Sequence, residues 1–252
     1  MRIVDKIEAL GLGNKSHAGW AFPTSVLRRL EELMPENMAA TAETGCGKST
    51  ILFSNLSKHH SVFCIDDTKE KDHSSINFFK KCKLTKNNTI ELVLGPTQRT
   101  LPVYSKFKKL DAVLIDGPHG YPFPEMEYYF FYPHIKTGGL LIIDDVHIAS
   151  IGRFADIVAE DEMFEFVELV STTVVLRRTA APLFDPTGDG WWLQNYNKRR
   201  ITGEHESLQQ YRLNDGRRRE SFGKLFGQDN TGEPFISSRD GQRKSYFSRL
   251  FS

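Results

Sequence analysis

Two apolar runs near the end of the patterned part of this chain, Met163–Val170 and Thr172–Arg178, follow each other with almost no room between them. That spacing suits a tight antiparallel hairpin and leaves no space for a crossover helix. Upstream the chain does the opposite. Met38–Glu43, Ser61–Asp66, Thr89–Leu94, Asp111–Asp116 and Gly139–Asp145 read as strands. Between them lie helix-length segments, Lys48–Ser57, Ser74–Cys82, Leu101–Phe107 and Glu125–Tyr132, and Ile151–Glu160 follows the fifth. Strands separated by helices make a parallel sheet with right-handed crossovers. The strands are apolar throughout, as required when both faces are covered. The expected fold is α/β: a Rossmann-like, doubly wound, mostly parallel seven-stranded sheet closed by a C-terminal antiparallel hairpin.

The flanks carry less pattern. In residues 1–37, Val26, Leu27, Leu30 and Leu33 recur at helical spacing and Pro35 ends the run, which predicts a helical preface. Residues 38–180 form the expected central domain, and residues 181–252 a partly irregular C-terminal extension. That extension holds basic clusters at Lys198–Arg200 and Arg217–Arg219 among many polar residues, so a loosely ordered tail is expected. Net charge is +1, which gives no global attraction to nucleic acid or acidic membranes. The three cysteines, Cys46, Cys64 and Cys82, are far apart and odd in number, so neither a disulfide framework nor a cysteine metal site is expected. There is no apolar run of the ~18 residues a membrane span needs and no signal-peptide core. A reducing cytoplasm is the expected setting.

The stretch Ala42-Glu-Thr-Gly-Cys-Gly-Lys-Ser-Thr50 reads in two incompatible ways. Begun at Ala42, it is a relaxed phosphate loop ending in Gly-Lys-Ser, and Leu140–Asp144 imitates the strand that carries a Mg²⁺-binding acid in nucleotide triphosphatases. That reading would use Lys48 and Asp144, but it puts the acidic Glu43 inside an anion cradle. Begun at Glu43, an acid closes the first strand, and Gly45 and Gly47 turn the chain tightly beside a ligand. Ser49 then falls in the first turn of the helix. The second strand ends in Asp66, where a carboxylate can accept from both ribose hydroxyls of a nucleoside. Lys48 is expected to point to solvent in this reading.

The residues Glu43-Thr-Gly-Cys-Gly-Lys-Ser-Thr50, Ile115-Asp-Gly-Pro-His119 and Gly138-Gly-Leu-Leu-Ile-Ile-Asp-Asp145 resemble a class I S-adenosylmethionine-dependent methyltransferase. The branch they resemble contains the macrocin- and mycinamicin-type sugar O-methyltransferases, and the likeness spans roughly residues 24–178. It implies that Glu43, Gly45, Gly47 and Ser49 flank the methionine part of S-adenosylmethionine. Asp66 would hold the ribose, Gly95, Pro96 and Thr97 would lie near the adenine, and Asp116 would border the cofactor. The implied acceptor is a sugar or another polyhydroxylated small molecule, with neither membrane nor nucleic acid as partner. The oligomeric state is left open.

Asp116, Asp144 and Asp145 fall at the carboxyl ends of neighbouring strands. Three carboxylates there repel unless a cation joins them, and Mg²⁺ suits an oxygen donor set. His119, three residues after Asp116, stands where a general base would take a hydroxyl proton, with His147 as a rival. The resemblance assigns the same parts to the Asp-x-x-His spacing and the following acidic pair. Against this stand plainer readings: strand-end aspartates cap helices, and Tyr121, Phe123, Tyr128 and Tyr129 serve as core as readily as they line an acceptor pocket. A cofactor-binding module without turnover is the remaining alternative.

Overall fold

The computed structural model describes residues 2–11, 22–184, 190, 192 and 194–198. The expected irregular tail beyond Lys198, with its clusters at Arg200 and Arg217–Arg219, lies outside these residues. In the first compact unit, residues 1–197, seven strands form one sheet: β1 (Thr41–Thr44), β2 (His60–Cys64), β3 (Ile90–Leu94), β4 (Leu110–Ile115), β5 (Ile135–Ile143), β6 (Phe164–Val170) and β7 (Thr173–Arg178). Their order across the sheet is β3-β2-β1-β4-β5-β7-β6. All neighbours from β3 to β5 run parallel, and β7 is antiparallel to both β5 and β6. The expected closing hairpin is thus present, with β7 inserted between β5 and β6.

Helices α1 (Ile3–Ala9), α2 (Thr24–Leu33), α3 (Lys48–Leu56), α4 (Ser75–Lys81), α5 (Thr97–Thr100), α6 (Phe123–Phe131) and α7 (Ala149–Glu160) cover the sheet. Alternation along β4 divides the core. Ala112 and Leu114 face α2 and α3, packing with Val26, Leu27, Leu30, Leu52 and Phe53. Val113 and Ile115 face the other side, with Phe63, Phe131, Phe154 and Leu176. The α2 part of the preface therefore covers the sheet itself. Arg29 also bridges α2 to the hairpin through Glu168, 2.7 Å away.

Most elements shift by one or two residues from their expected bounds, β5 starts four residues earlier, at Ile135, and two further differences have a local cause. β1 begins at Thr41, because Met38 makes only an isolated bridge to Ser57. The helix expected at Leu101–Phe107 starts earlier, at Thr97, and tightens into a 3₁₀ turn over Leu101–Val103. Pro96 sets its start and Pro102 its end: proline fits the first helical positions but supplies no N–H to continue the ladder.

Candidate active site

The switch point of the sheet lies between β1 and β4, where strand order reverses and ligands of α/β sheets bind beyond the carboxyl ends. The glycine loop leaves β1 there. Gly45 holds φ +79° and donates its N–H to the Phe63 carbonyl at 2.9 Å. A Cβ on Gly45 would stand 2.2 Å from the Asp116 carbonyl oxygen. Glycine is needed twice over, for the left-handed backbone and because the loop lies against the Asp116 backbone. Gly47 N–H donates to Thr50 Oγ1 at 2.9 Å, and Thr50 Oγ1 donates to Glu43 Oε1. Ser49 is buried in the same helical turn.

Glu43 is fully buried and braces this loop from behind. His60 Nε2 lies 3.1 Å from its Oε1, off the line of a hydrogen bond. The rest of the imidazole is fixed by a directed chain: Ser57 Oγ donates to the Phe53 carbonyl, Thr41 Oγ1 to Ser57, and His60 Nδ1 meets Thr41 Oγ1 at 2.8 Å. Phe53 stacks on the ring.

The expectation that Lys48 points to solvent is overturned. Lys48 is 4% exposed, its Nζ reaches back to the Phe22 carbonyl at 3.5 Å, and burial lowers its pKa. Its aliphatic stem is drawn into the contact between α3 and the chain leading into α2. This geometry also counts against the phosphate-loop reading, in which the ammonium must face a ligand.

At the end of β2 the two aspartates divide their work. Asp67 supports the start of α4, whose N-cap is Ser74: it accepts from Ser74 Oγ at 2.7 Å and from the Ser75 and Ile76 amides. Asp66 is exposed and bonded only locally among the described residues, its Oδ1 accepting from Thr68 N–H and Oγ1–H. Those bonds lower its pKa, the hydroxyl first and the amide second, so the carboxylate stays ionised and open to a ligand. Beside it stand Ile65 and Leu94, both exposed at the carboxyl ends of β2 and β3. Gly95 follows at φ +132°, then Pro96 and the nearly buried Thr97.

The second cluster sits on the other side of the glycine loop. Ligand atoms of Asp116, His119 and Asp145 all lie within 4.8 Å of one another. His119 Nε2 is 2.9 Å from Asp145 Oδ2 and 3.8 Å from Asp116 Oδ1. Asp145 adopts φ +57°, a left-handed conformation that aspartate tolerates. His147 also approaches Asp145, at 3.5 Å, but from an exposed position. Asp144, expected with the cation ligands, instead accepts from Thr173 Oγ1 at 2.6 Å and ties β5 to β7. The trio that converges is therefore two carboxylates and an imidazole. His119 holds its proton above the ordinary imidazole range, through Asp116 first and then Asp145, with partial burial opposing. Asp116 is pushed upward, by burial first, against the pull of His119.

Of the aromatic residues, Tyr121 is exposed, whereas Tyr128 stacks on Tyr132 and meets Phe154 edge-on against the core. Two residues were not singled out in the sequence, Thr44 and Glu127. Thr44 Oγ1 accepts from the Asp116 amide at 3.1 Å and donates to Glu127 Oε2 at 2.7 Å. The available signal was an acid inside an otherwise aromatic helical run, Met126-Glu-Tyr-Tyr-Phe-Phe131.

The strand order with one antiparallel strand next to the last position agrees with a family model described as a methyltransferase domain, which matches residues 42–146. This is a class I methyltransferase fold. Solved structures agree with it at low identity. A putative O-methyltransferase from Klebsiella pneumoniae superposes with a TM-score of 0.52 at 15% identity, covering 70% of this chain and 90% of that one. An O-methyltransferase from Bacillus cereus, in complex with SAH, gives 0.50 at 17%, covering 70% and 89%. A putative caffeoyl-CoA O-methyltransferase from Staphylococcus aureus gives 0.50 at 11%, covering 71% and 93%. No curated protein sequence matches the chain. Among the described residues of the methyltransferase fold, no helix is long and apolar enough to cross a membrane.

Proposed function

We propose that this protein transfers a methyl group from S-adenosylmethionine to a hydroxyl of a sugar or another polyhydroxylated small molecule. One observation carries the reading: the glycine loop and the loop bearing Asp116 and His119 are packed against each other, Gly45 on the Asp116 carbonyl. A cofactor on the first loop would thus lie beside an imidazole paired with a carboxylate. Exposed Asp66 is the ribose partner, and Ile65 and Leu94 offer apolar surface to the adenine, with Gly95, Pro96 and Thr97 behind them. The cofactor named with the Bacillus cereus structure, SAH, is the product such a reaction leaves.

The chemistry is one in-line displacement. The acceptor oxygen bonds to the methyl carbon as the carbon–sulfur bond breaks, and the electron pair stays on sulfur. The protein's main contribution is alignment of oxygen, carbon and sulfur. Asp145 takes the Nε2–H of His119, which leaves Nδ1 as the lone pair that receives the hydroxyl proton. Asp116 orients the ring and favours the imidazolium that forms. A divalent cation would be held by the carboxylates of Asp116 and Asp145, an oxygen set that suits Mg²⁺, with His119 kept as the base. When bound, such a cation would hold neighbouring hydroxyls and ease loss of a proton. A cytoplasmic setting belongs to the same reading, resting on the free cysteines Cys46, Cys64 and Cys82.

Calorimetric titration with SAH tests the cofactor, and methyl transfer from labelled S-adenosylmethionine across a panel of sugars and polyols tests the acceptor. Folded protein that binds neither form of the cofactor overturns the reading. Activity that is unchanged in chelator removes the cation from it.

A further inference from the structure

Glu127 lies in α6 with 0% exposure, directly beneath the loop that carries Asp116 and His119. A buried carboxyl with few donors is expensive, costing several kcal/mol relative to water. Here one oxygen, Oε2, accepts from Thr44. The other, Oε1, is buried and finds no hydrogen-bond partner among the described residues, and the nearby Thr97 Oγ1 is equally unpaired. Thr97 is close enough to help lower the proton affinity of Glu127, but it is not aligned for a bond. Burial dominates and pushes the carboxyl up to about 7. If packing were the only requirement at this position, leucine or methionine would fill it at lower cost.

The contacts say what the carboxyl does instead. Because Thr44 gives its hydroxyl proton to Glu127, its lone pairs are turned to the Asp116 N–H, which they accept at 3.1 Å. Reverse the hydroxyl and the Asp116 amide loses its acceptor. The next residue is gripped directly. A Cβ on Gly117 would stand 2.4 Å from Glu127 Oε1 and 2.8 Å from Oε2, so the backbone lies flat on the carboxyl. From the opposite side Gly45 closes on the Asp116 carbonyl. The base-bearing loop is thus held at its amide, its carbonyl and its next Cα, and two of these three holds trace to Glu127.

We propose that Glu127 is a positioning residue for proton abstraction: acting through Thr44 and against Gly117, it sets where Asp116 and His119 stand relative to the cofactor loop. This rests on the methyltransferase reading for its purpose, but its geometry is testable without an acceptor. The measurement is hydrogen exchange of the Asp116 amide by NMR, together with the ring resonances of His119. Four variants are compared: Glu127→Gln, Glu127→Leu, Thr44→Ser and Thr44→Val. Glu127→Gln and Thr44→Ser keep an acceptor and a hydroxyl, so both should match the wild type. Glu127→Leu and Thr44→Val should speed Asp116 exchange about five- to tenfold, the equilibrium weight of one hydrogen bond, and shift the His119 resonances. SAH titration should show affinity within about tenfold of wild type in all four, the loss of one hydrogen bond at most.

Unchanged Asp116 exchange in both Glu127→Leu and Thr44→Val overturns the proposal, as does an equal change in the conservative pair. Should Glu127→Leu fail to fold, Thr44→Val alone decides. Failure of the methyltransferase reading would show differently, as absence of SAH binding in the wild type with the exchange pattern intact.

Discussion

Gly45→Ala is the most informative single perturbation, because the structure supplies its control. Gly45 and Gly138 hold nearly the same backbone angle, φ +79° and +82°. A Cβ at Gly138 meets nothing within 4 Å among the described residues, whereas at Gly45 it would meet the Asp116 carbonyl oxygen at 2.2 Å. Left-handed backbone costs a non-glycine residue about 1–2 kcal/mol at either site. At Gly45 the overlap adds a forced backbone shift, an overpacking penalty of about 1–3 kcal/mol. Gly138→Ala should therefore lose about 1–2 kcal/mol and Gly45→Ala about 2–5. At about 2–4 °C per kcal/mol for a domain of this size, melting should fall by roughly 2–8 °C and 4–20 °C respectively. Thermal denaturation reads this, and SAH titration should show at least a tenfold loss for Gly45→Ala only, since the forced shift separates the two loops by the 1.4 kcal/mol that a factor of about ten represents. Equal melting and equal SAH affinity in the two variants would refute the close packing of the loops.

Asp66→Ala should weaken SAH binding by about tenfold or more with little change in melting, as expected when a charge-assisted hydrogen bond to ligand is lost; Asp67→Ala should do the reverse, costing about 1–2 kcal/mol as the Ser74 hydroxyl and the first amides of α4 lose their acceptor. Asp144→Asn should lower the His119 NMR titration only slightly, because Asp144 is the smallest of its raising influences, while Asp116→Asn should lower it more by removing the largest. Lys48→Met should keep SAH affinity and Lys48→Ala should lose about 2–3 kcal/mol of stability, since the stem of Lys48 is core packing. Glu127 supplies a pH test. Its folded pKa of about 7 lies above the unfolded carboxylate range, so its contribution falls as pH rises from about 4.5 to 7, by up to about 3 kcal/mol. Denaturant titration across that window should show a slope of this sign in the wild type, and Glu127→Gln should reduce it, leaving the part that Asp116 contributes.

The fold was legible because its signals are periodic. The cramped pair Met163–Val170 and Thr172–Arg178 announced the antiparallel hairpin, though not the place of β7 between β5 and β6, and each parallel strand is an apolar run bounded by turn residues. The tight turn after β1 was legible because glycine is the residue that readily takes the positive φ found at Gly45. Side-chain direction was not legible. Asp144 and Asp145 are adjacent in sequence, yet one faces β7 and the other faces His119, and the deciding factor is the positive φ of Asp145. Lys48 was misjudged for a related reason: the first turn of a helix is ordinarily open, and only packing of α2 over α3 covers it. Glu127 lay hidden because its partners, Thr44 and Gly117, come from other segments and share no spacing with it.

These contacts make the two halves of the candidate site one mechanical unit. Glu43, through Thr50 and Gly47, fixes the helical end of the glycine loop, and Gly45 fixes its other end to Phe63 and Asp116. Asp116 is in turn held by Thr44, the residue that closes β1, and Thr44 by Glu127. The circuit runs from the glycine loop to the Asp116–His119 loop and back through side chains that are almost all buried, so a displacement at one loop cannot be absorbed locally in an interior packed to crystal density. In-line methyl transfer needs the oxygen, carbon and sulfur on one line, and small misplacements cost large factors in rate. A circuit of buried polar bonds sacrifices stability, as the raised carboxyls of Asp116 and Glu127 show. What it provides is a fixed distance between the glycine loop and the Asp116–His119 loop, the spacing on which the proposed reaction depends.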